Sequence, residues 1–158
     1  MLQLVYQLRL ALQLQLQGVS MGKFNKSQTP NIQIQIGAMK AKFPQFRCAY
    51  KDGKLTFIGE LLIKPELPVY KVSVEYRDNL RPLVHVISPM LVEGAKHVYA
   101  DGSLCLYHSK NFNWYGKKLI ANEIMQWTIA WIYFHEYWLQ SGEWIGPEVP
   151  HTKINENE

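Results

Sequence analysis

The sequence predicts an α+β sandwich: one helix, a four-stranded antiparallel meander, an irregular stretch and a long closing helix. Two observations carry this. Between residues 46 and 87, short segments of alternating apolar and polar residues are separated by turn residues, the signature of paired strands. On either side, at 31–43 and from Lys118 onward, apolar residues recur every three or four positions, the period of an amphipathic helix. Strands grouped together and flanked by helices segregate into a sheet covered by helices. A chain of 158 residues is most simply one domain, and 47% hydrophobic residues are ample for its core.

Residues 1–20 stand apart. Leucine and glutamine alternate through Leu10, Leu12, Gln13, Leu14, Gln15 and Leu16, a period of two that suits a strand. Gln3, Gln7, Arg9 and Gln13 interrupt any spanning run of about 20 apolar residues. The stretch has no clear small-residue cleavage site and is a poor secretory leader. We expect the native protein to begin at Met21, with 1–20 an extension upstream of the true start. The domain would then occupy 21–151, and 152–158 would be a frayed polar tail. N-terminal sequencing of protein from the native host tests this; a peptide spanning residues 15–25 would contradict it.

Thr29-Pro30 reads as a helix start, since proline is tolerated in the first turn. Ile32, Ile36, Met39 and Phe43 follow at helical spacing, and Pro44 ends the helix. Phe46–Tyr50 and Leu55–Ile63, joined by Lys51-Asp52-Gly53-Lys54, read as a hairpin with an Asp-Gly turn. Cys48 lies in the first of these strands and is expected in the core. Pro65 and Pro68 break the pattern. Tyr70–Tyr76 alternates as a third strand, Arg77-Asp78-Asn79 turns, and Leu83–Ile87 reads as a fourth, closed by Ser88-Pro89. From Lys118, Ile120, Ile124, Trp127, Trp131, Phe134 and Trp138 form one stripe, which we expect to pack on the sheet. Ile129, Ile132 and Tyr133 widen it, leaving a second face for a partner. Ser141-Gly142 ends the helix, and Trp144, Ile145 and Pro147 are expected to fold back on the body.

Composition excludes several function classes. The net charge is +4, but the lysines and arginines are scattered and the aromatics lie mostly in the helical stripe, so a nucleic-acid surface is not indicated. Two cysteines cannot build a disulfide framework, and a reduced cytoplasmic protein is the simpler reading. Cys48 and Cys105 lack Cys-x-x-Cys spacing, and His85, His135 and His151 form no metal set with them. Neither a Walker A nor a Rossmann glycine loop is present, so no nucleotide cofactor is expected and no motif for adenylating a carboxyl group is visible.

The chemistry-bearing stretch is His97-Val98-Tyr99-Ala100-Asp101-Gly102-Ser103-Leu104-Cys105-Leu106-Tyr107. Asp101-Gly102 signals a tight turn, because glycine takes positive φ at no steric cost. Cys105 follows that turn, with His97 and His108 near it in sequence, so it is a candidate nucleophile. Packing beside Leu104 and Leu106 as a small buried hydrophobe is the alternative.

Gly102-Ser103-Leu104-Cys105-Leu106, with a histidine upstream and Trp114 downstream, resembles the active-site segment of ubiquitin-conjugating enzymes. There glycine, any residue, an aliphatic residue, the thioester cysteine and leucine precede a tryptophan. The helix–meander–helix order and Arg81-Pro82-Leu83, placed where that family carries a proline pair before its fourth strand, agree with that fold. The run His97–Leu106, the Trp-rich helix and Gly142-Glu143-Trp144-Ile145-Gly146 resemble more closely the ubiquitin-conjugating-like proteins of bacterial CBASS antiphage operons. The resemblance spans about 32–151 and is most specific over 97–146. It implies an acyltransferase whose Cys105 forms a thioester with the C-terminal tail of the cyclic-dinucleotide synthase of the same operon. Conjugation of that tail to an amine would prime antiphage signalling. Activation would come from a separate enzyme or a preactivated substrate, since the chain resembles the stand-alone conjugating type.

The family's His-Pro-Asn triplet reads His97-Val98-Tyr99 here. Proline and asparagine are both missing, so the asparagine's oxyanion role does not carry over. His97 remains a candidate for loop or oxyanion support, for polarising the thiol or simply for holding the turn. Asp101 is a candidate for lowering an attacking amine's pKa or desolvating it, and is equally explained as a turn former. His108 is a candidate base or a solvated loop histidine. Tyr99 and Tyr107 are candidates to flank the cleft, and Trp114 is expected to be a packing anchor. Two other functions stay open: a non-catalytic ubiquitin-conjugating-like binding module, and a cysteine hydrolase pairing Cys105 with His97 or His108.

Overall fold

The computed structural model describes residues 32–148; the expected start at Met21, the 1–20 extension and the 152–158 tail lie outside them. Helix α1 (Ile32–Lys42) leads into strands β1 (Arg47–Lys51), β2 (Lys54–Leu61), β3 (Tyr70–Arg77) and β4 (Leu80–Ser88). After a long irregular segment the chain enters helix α2 (Ile124–Ser141). The strands pair consecutively and antiparallel in the order β1-β2-β3-β4, the expected meander.

Alternation decides which face is covered. Leu55, Phe57 and Leu61 on β2, Tyr70, Val72, Val74 and Tyr76 on β3, and Val84 on β4 are buried. Pairing of Phe57 with Val74, and of Val74 with Val84, carries this apolar row across the sheet. Met39 of α1 and Ile124, Met125, Trp131 and Ile132 of α2 complete the same cluster. Tyr70 donates a 2.5 Å hydrogen bond to Glu136 Oε1 and ties α2 to the sheet. Gly59 is required by close approach: a Cβ there would lie 2.5 Å from the Phe46 ring and 2.9 Å from the Phe46 Cα.

Several elements differ from the sequence reading. β1 is an outer strand exposed along its whole length, so Cys48 is exposed rather than buried in the core. β4 begins three residues early and takes in Pro82, which is tolerable because β4 is also an edge strand. α2 starts at Ile124 rather than Lys118. The cause is a side-chain clamp from α1: buried Gln35 donates to the Lys118 carbonyl (2.9 Å) and accepts from the Ile120 N–H (3.1 Å). Those groups are therefore engaged outside a helical ladder. Within the stripe, Trp127 and Trp138 are only half-buried. The second face of α2 is largely internal, with Ile132 buried and Ile129 and Tyr133 packed against the core. Gly142 caps the helix with φ 75°, and its N–H donates to the Trp138 carbonyl, as its sequence position predicts.

Candidate active site

The segment 97–107 is held against the edge of β4. The Leu104 N–H donates to the Val84 carbonyl at 2.8 Å, and the Leu104 side chain is buried. Val98 and Leu104 form an antiparallel bridge across the intervening turn. Inside it the Tyr99 N–H donates to the Ser103 carbonyl (2.8 Å), and the Gly102 N–H donates to the Tyr99 carbonyl (2.9 Å). Gly102 takes φ 79°, the conformation that Asp101-Gly102 announces.

Asp101 is exposed and works on its own loop. Its Oδ1 accepts from the Ser103 N–H (2.9 Å) and the Ser103 hydroxyl (2.6 Å). These bonds hold its carboxyl below the ordinary range, with Arg81 and His85 acting in the same direction. His85 Nε2 lies 3.3 Å from the Asp101 carbonyl oxygen. The turn is thus bonded within itself and braced from β4.

His97 contributes mainly through its backbone. It adopts φ 55°, and its carbonyl accepts from the Cys105 N–H (2.8 Å) and from Trp131 Nε1 (3.2 Å). One carbonyl therefore connects the cysteine to the buried face of α2. The His97 ring packs on Trp144, with centroids 4.6 Å apart, and Nε2 lies 3.6 Å from Glu148. Trp144 also packs against Trp131 and Phe134, so this part of the chain folds back as expected, whereas Ile145 remains exposed. Trp114 is a packing residue: it is buried, meets Tyr76 edge-on and donates to the Asp78 carbonyl (2.8 Å).

Cys105 is half-buried in the wall of a pocket of about 80 Å³. Leu106, Trp127, Trp131, Phe134 and Trp144 supply apolar lining, and His97, Tyr107, His108 and Asn111 supply polar groups. His108 Nδ1 accepts the Lys110 N–H (3.1 Å), which fixes that ring to its own loop. Tyr99 flanks the thiol from another side. Burial first, then a hydrogen bond to the Cys105 thiol, raises the Tyr99 phenol above its ordinary range. The Arg81 guanidinium stacks 4.3 Å from the Tyr99 ring centroid and lies 3.3–3.4 Å from the Ser103 hydroxyl. The structure brings together Cys105, His97, His108, Tyr99 and Tyr107, and places Asp101 on the outer turn.

Arg81, Ser103, Glu148 and Gln35 were not among the residues singled out from the sequence. Arg81 had one usable signal, its place beside Pro82 at the start of a strand. Ser103 had a local signal as well, since an aspartate commonly accepts the backbone N–H two residues on. Glu148 and Gln35 act through contacts between segments distant in sequence. Among the described residues, no group of three His, Cys, Asp or Glu side chains could hold a metal ion. No helix among them is long and apolar enough to cross a membrane.

A helix, an antiparallel meander, a cysteine-bearing turn on the sheet edge and a closing helix define a ubiquitin-conjugating-like domain. Residues 35–152 match the family described as type II CBASS E2 protein, and the chain belongs to that family. It is therefore a CBASS E2-like protein of antiviral defence. No curated protein matches the chain.

Proposed function

We propose that the protein is a cysteine-dependent acyl carrier and transferase serving the cyclic-dinucleotide synthase of its operon. Cys105 is the nucleophile. Its thiolate attacks the carbonyl carbon of the synthase's activated C-terminus, a mixed anhydride or thioester supplied by another protein. The C–S bond forms as the activating group leaves with the bonding electron pair. An amine then attacks the thioester, the C–N bond forms, the C–S bond breaks and the amine's proton passes to solvent. The conjugated synthase is thereby primed for signalling.

The observation that carries this reading is the setting of Cys105: partly accessible, in an aromatic pocket, on a loop fixed from both β4 and α2. A carrier thiol must reach solvent to be loaded, and its loop must hold still for the incoming carbonyl. His97 supports the loop through its carbonyl. Asp101 accepts both Ser103 donors and so keeps the turn that precedes Cys105 in shape.

The test is intact mass of wild type and Cys105→Ser, each co-produced with the neighbouring nucleotidyltransferase, with and without thiol reductant. Expected are a partner-sized adduct on wild type that reductant removes, and a more persistent ester on Cys105→Ser. Co-purification of the two proteins with neither adduct would favour the binding module. A second reading, a cysteine hydrolase, has one specific observation in its favour: His97, in the same pocket as Cys105, has Nε2 3.6 Å from Glu148. Release of a free C-terminus from a preformed conjugate would establish it.

A further inference from the structure

Acyl transfer at Cys105 places negative charge on the carbonyl oxygen, and a hydrogen-bond donor aimed at that oxygen is commonly the largest single contribution to such catalysis. The stretch His97-Val98-Tyr99 offers no asparagine for the task. Tyr107 has three properties of a donor held ready for it. Tyr107 lines the same pocket as Cys105, and its phenol is near enough to feel the Cys105 thiol. Its hydroxyl is buried and has no hydrogen-bond partner among the described residues, whereas nearly every buried polar group in a folded protein has one. Its ring is fixed edge-on against Phe112, with centroids 4.7 Å apart, so the hydroxyl is preorganised.

We propose that the Tyr107 hydroxyl is the oxyanion donor of this site, with Arg81 and Tyr99 as positioning residues around the thiol. The inference rests on the reading of Cys105 as an acyl carrier. When the Cys105 thiolate attacks, the carbonyl π pair moves onto oxygen, and Tyr107 donates a hydrogen bond to that oxygen without giving up its proton. Collapse re-forms the C=O bond and expels the leaving thiolate. Burial pushes the Tyr107 phenol up to about 12, opposed by the charge of Arg81 and assisted by Tyr99 and Cys105, so it keeps its proton at neutral pH. Arg81, held on the Tyr99 ring and at Ser103, adds fixed positive charge beside the reacting centre.

The test uses the full chain and a short peptide thioester of mercaptoethanesulfonate, with acylation of Cys105 followed by intact mass. Tyr107→Phe removes the donor and keeps the ring. Its acylation is expected to slow about 10²-fold, the usual consequence of losing one oxyanion donor. Alkylation by iodoacetamide, which develops no oxyanion, stays at the wild-type rate. Because the lost hydroxyl has no partner, the thermal midpoint does not fall. Unchanged acylation would overturn the proposal. So would a parallel loss of acylation and alkylation, which would place the hydroxyl's effect on the thiol, and so would a wild type that is alkylated but never acylated. As a second variant, 3,5-difluorotyrosine at position 107 keeps the donor and lowers its pKa. Its acylation should decline at an alkaline pH where wild type is still active; an unshifted profile contradicts the proposal. The synthetic thioester acts without the synthase, so a missing synthase adduct would strike the carrier reading, whereas equal acylation rates would strike only Tyr107.

Discussion

The chain carries two cysteines in opposite surroundings. Cys48 stands on β1, a strand exposed from end to end, beside Arg47 and Ala49 and away from the core. Cys105 is half-buried, with its N–H on the His97 carbonyl, Tyr99 beside its thiol and an aromatic pocket in front of it. Accessibility alone would favour Cys48. Surroundings favour Cys105, because group transfer needs a fixed approach and donors placed before the substrate arrives. Cys48 lines only an open polar groove with Arg47, Glu60 and Lys71, without the aromatic walls that surround Cys105.

The largest expected difference between the two regions is in what lies beneath them. Trp131 is buried and its indole holds the His97 carbonyl under Cys105. Trp131→Ala should lower stability by about 3–5 kcal/mol, as large aromatic deletions in cores do, and slow acylation of whatever remains folded. Tyr50→Ala on β1, where the side chain is 60% exposed, should stay within about 0.5 kcal/mol. Urea unfolding of both variants measures the contrast, and equal costs would break it.

Two turn glycines sharpen the comparison. Gly53 in the β1–β2 hairpin has φ 75° and Gly102 in the Cys105 loop has φ 79°. An added Cβ meets nothing within 4 Å at Gly53 and only the His85 ring at 3.8 Å at Gly102. Alanine at either should therefore cost a similar amount, about 1–2 kcal/mol for a non-glycine residue held left-handed. Only Gly102→Ala should also change the alkylation rate of Cys105. A change with Gly53→Ala would mean that the loop is not independent of the hairpin.

The smallest effect concerns pH. His135 is buried and stacked on Trp131, and burial lowers its pKa in the folded state from 6.5, with Glu136 acting in the opposite sense. The unfolded chain therefore binds the proton more readily. Stability contributed by keeping His135 neutral is full above about pH 6.5 and is lost as pH falls toward the depressed folded value. His135→Phe should flatten that acid limb of urea stability, and an unchanged limb would assign it to another group.

The fold was largely legible because alternation and helical spacing are local signals. All four strands, the Asp52-Gly53 turn and the Gly142 cap follow from them. The errors have tertiary causes. Cys48 sits in a strand-like pattern, but periodicity cannot say that β1 would be an uncovered edge. The onset of α2 moved to Ile124 because Gln35, distant in sequence, binds Lys118 and Ile120. At the site, Cys105 and the Asp101-Gly102 turn were readable from residue chemistry. The loop's fastening to Trp131 through the His97 carbonyl, and the placing of Arg81 on Tyr99, required chain segments that meet only after folding.

The central claim is that Cys105 carries the acyl group. The most direct measurement is to locate that group by tandem mass spectrometry of wild type co-produced with the synthase and digested at mildly acidic pH, where thioesters persist. The account predicts a reductant-sensitive adduct on the peptide containing Cys105, and none on the peptide containing Cys48. An adduct on Cys48, or equal labelling of both, would contradict it.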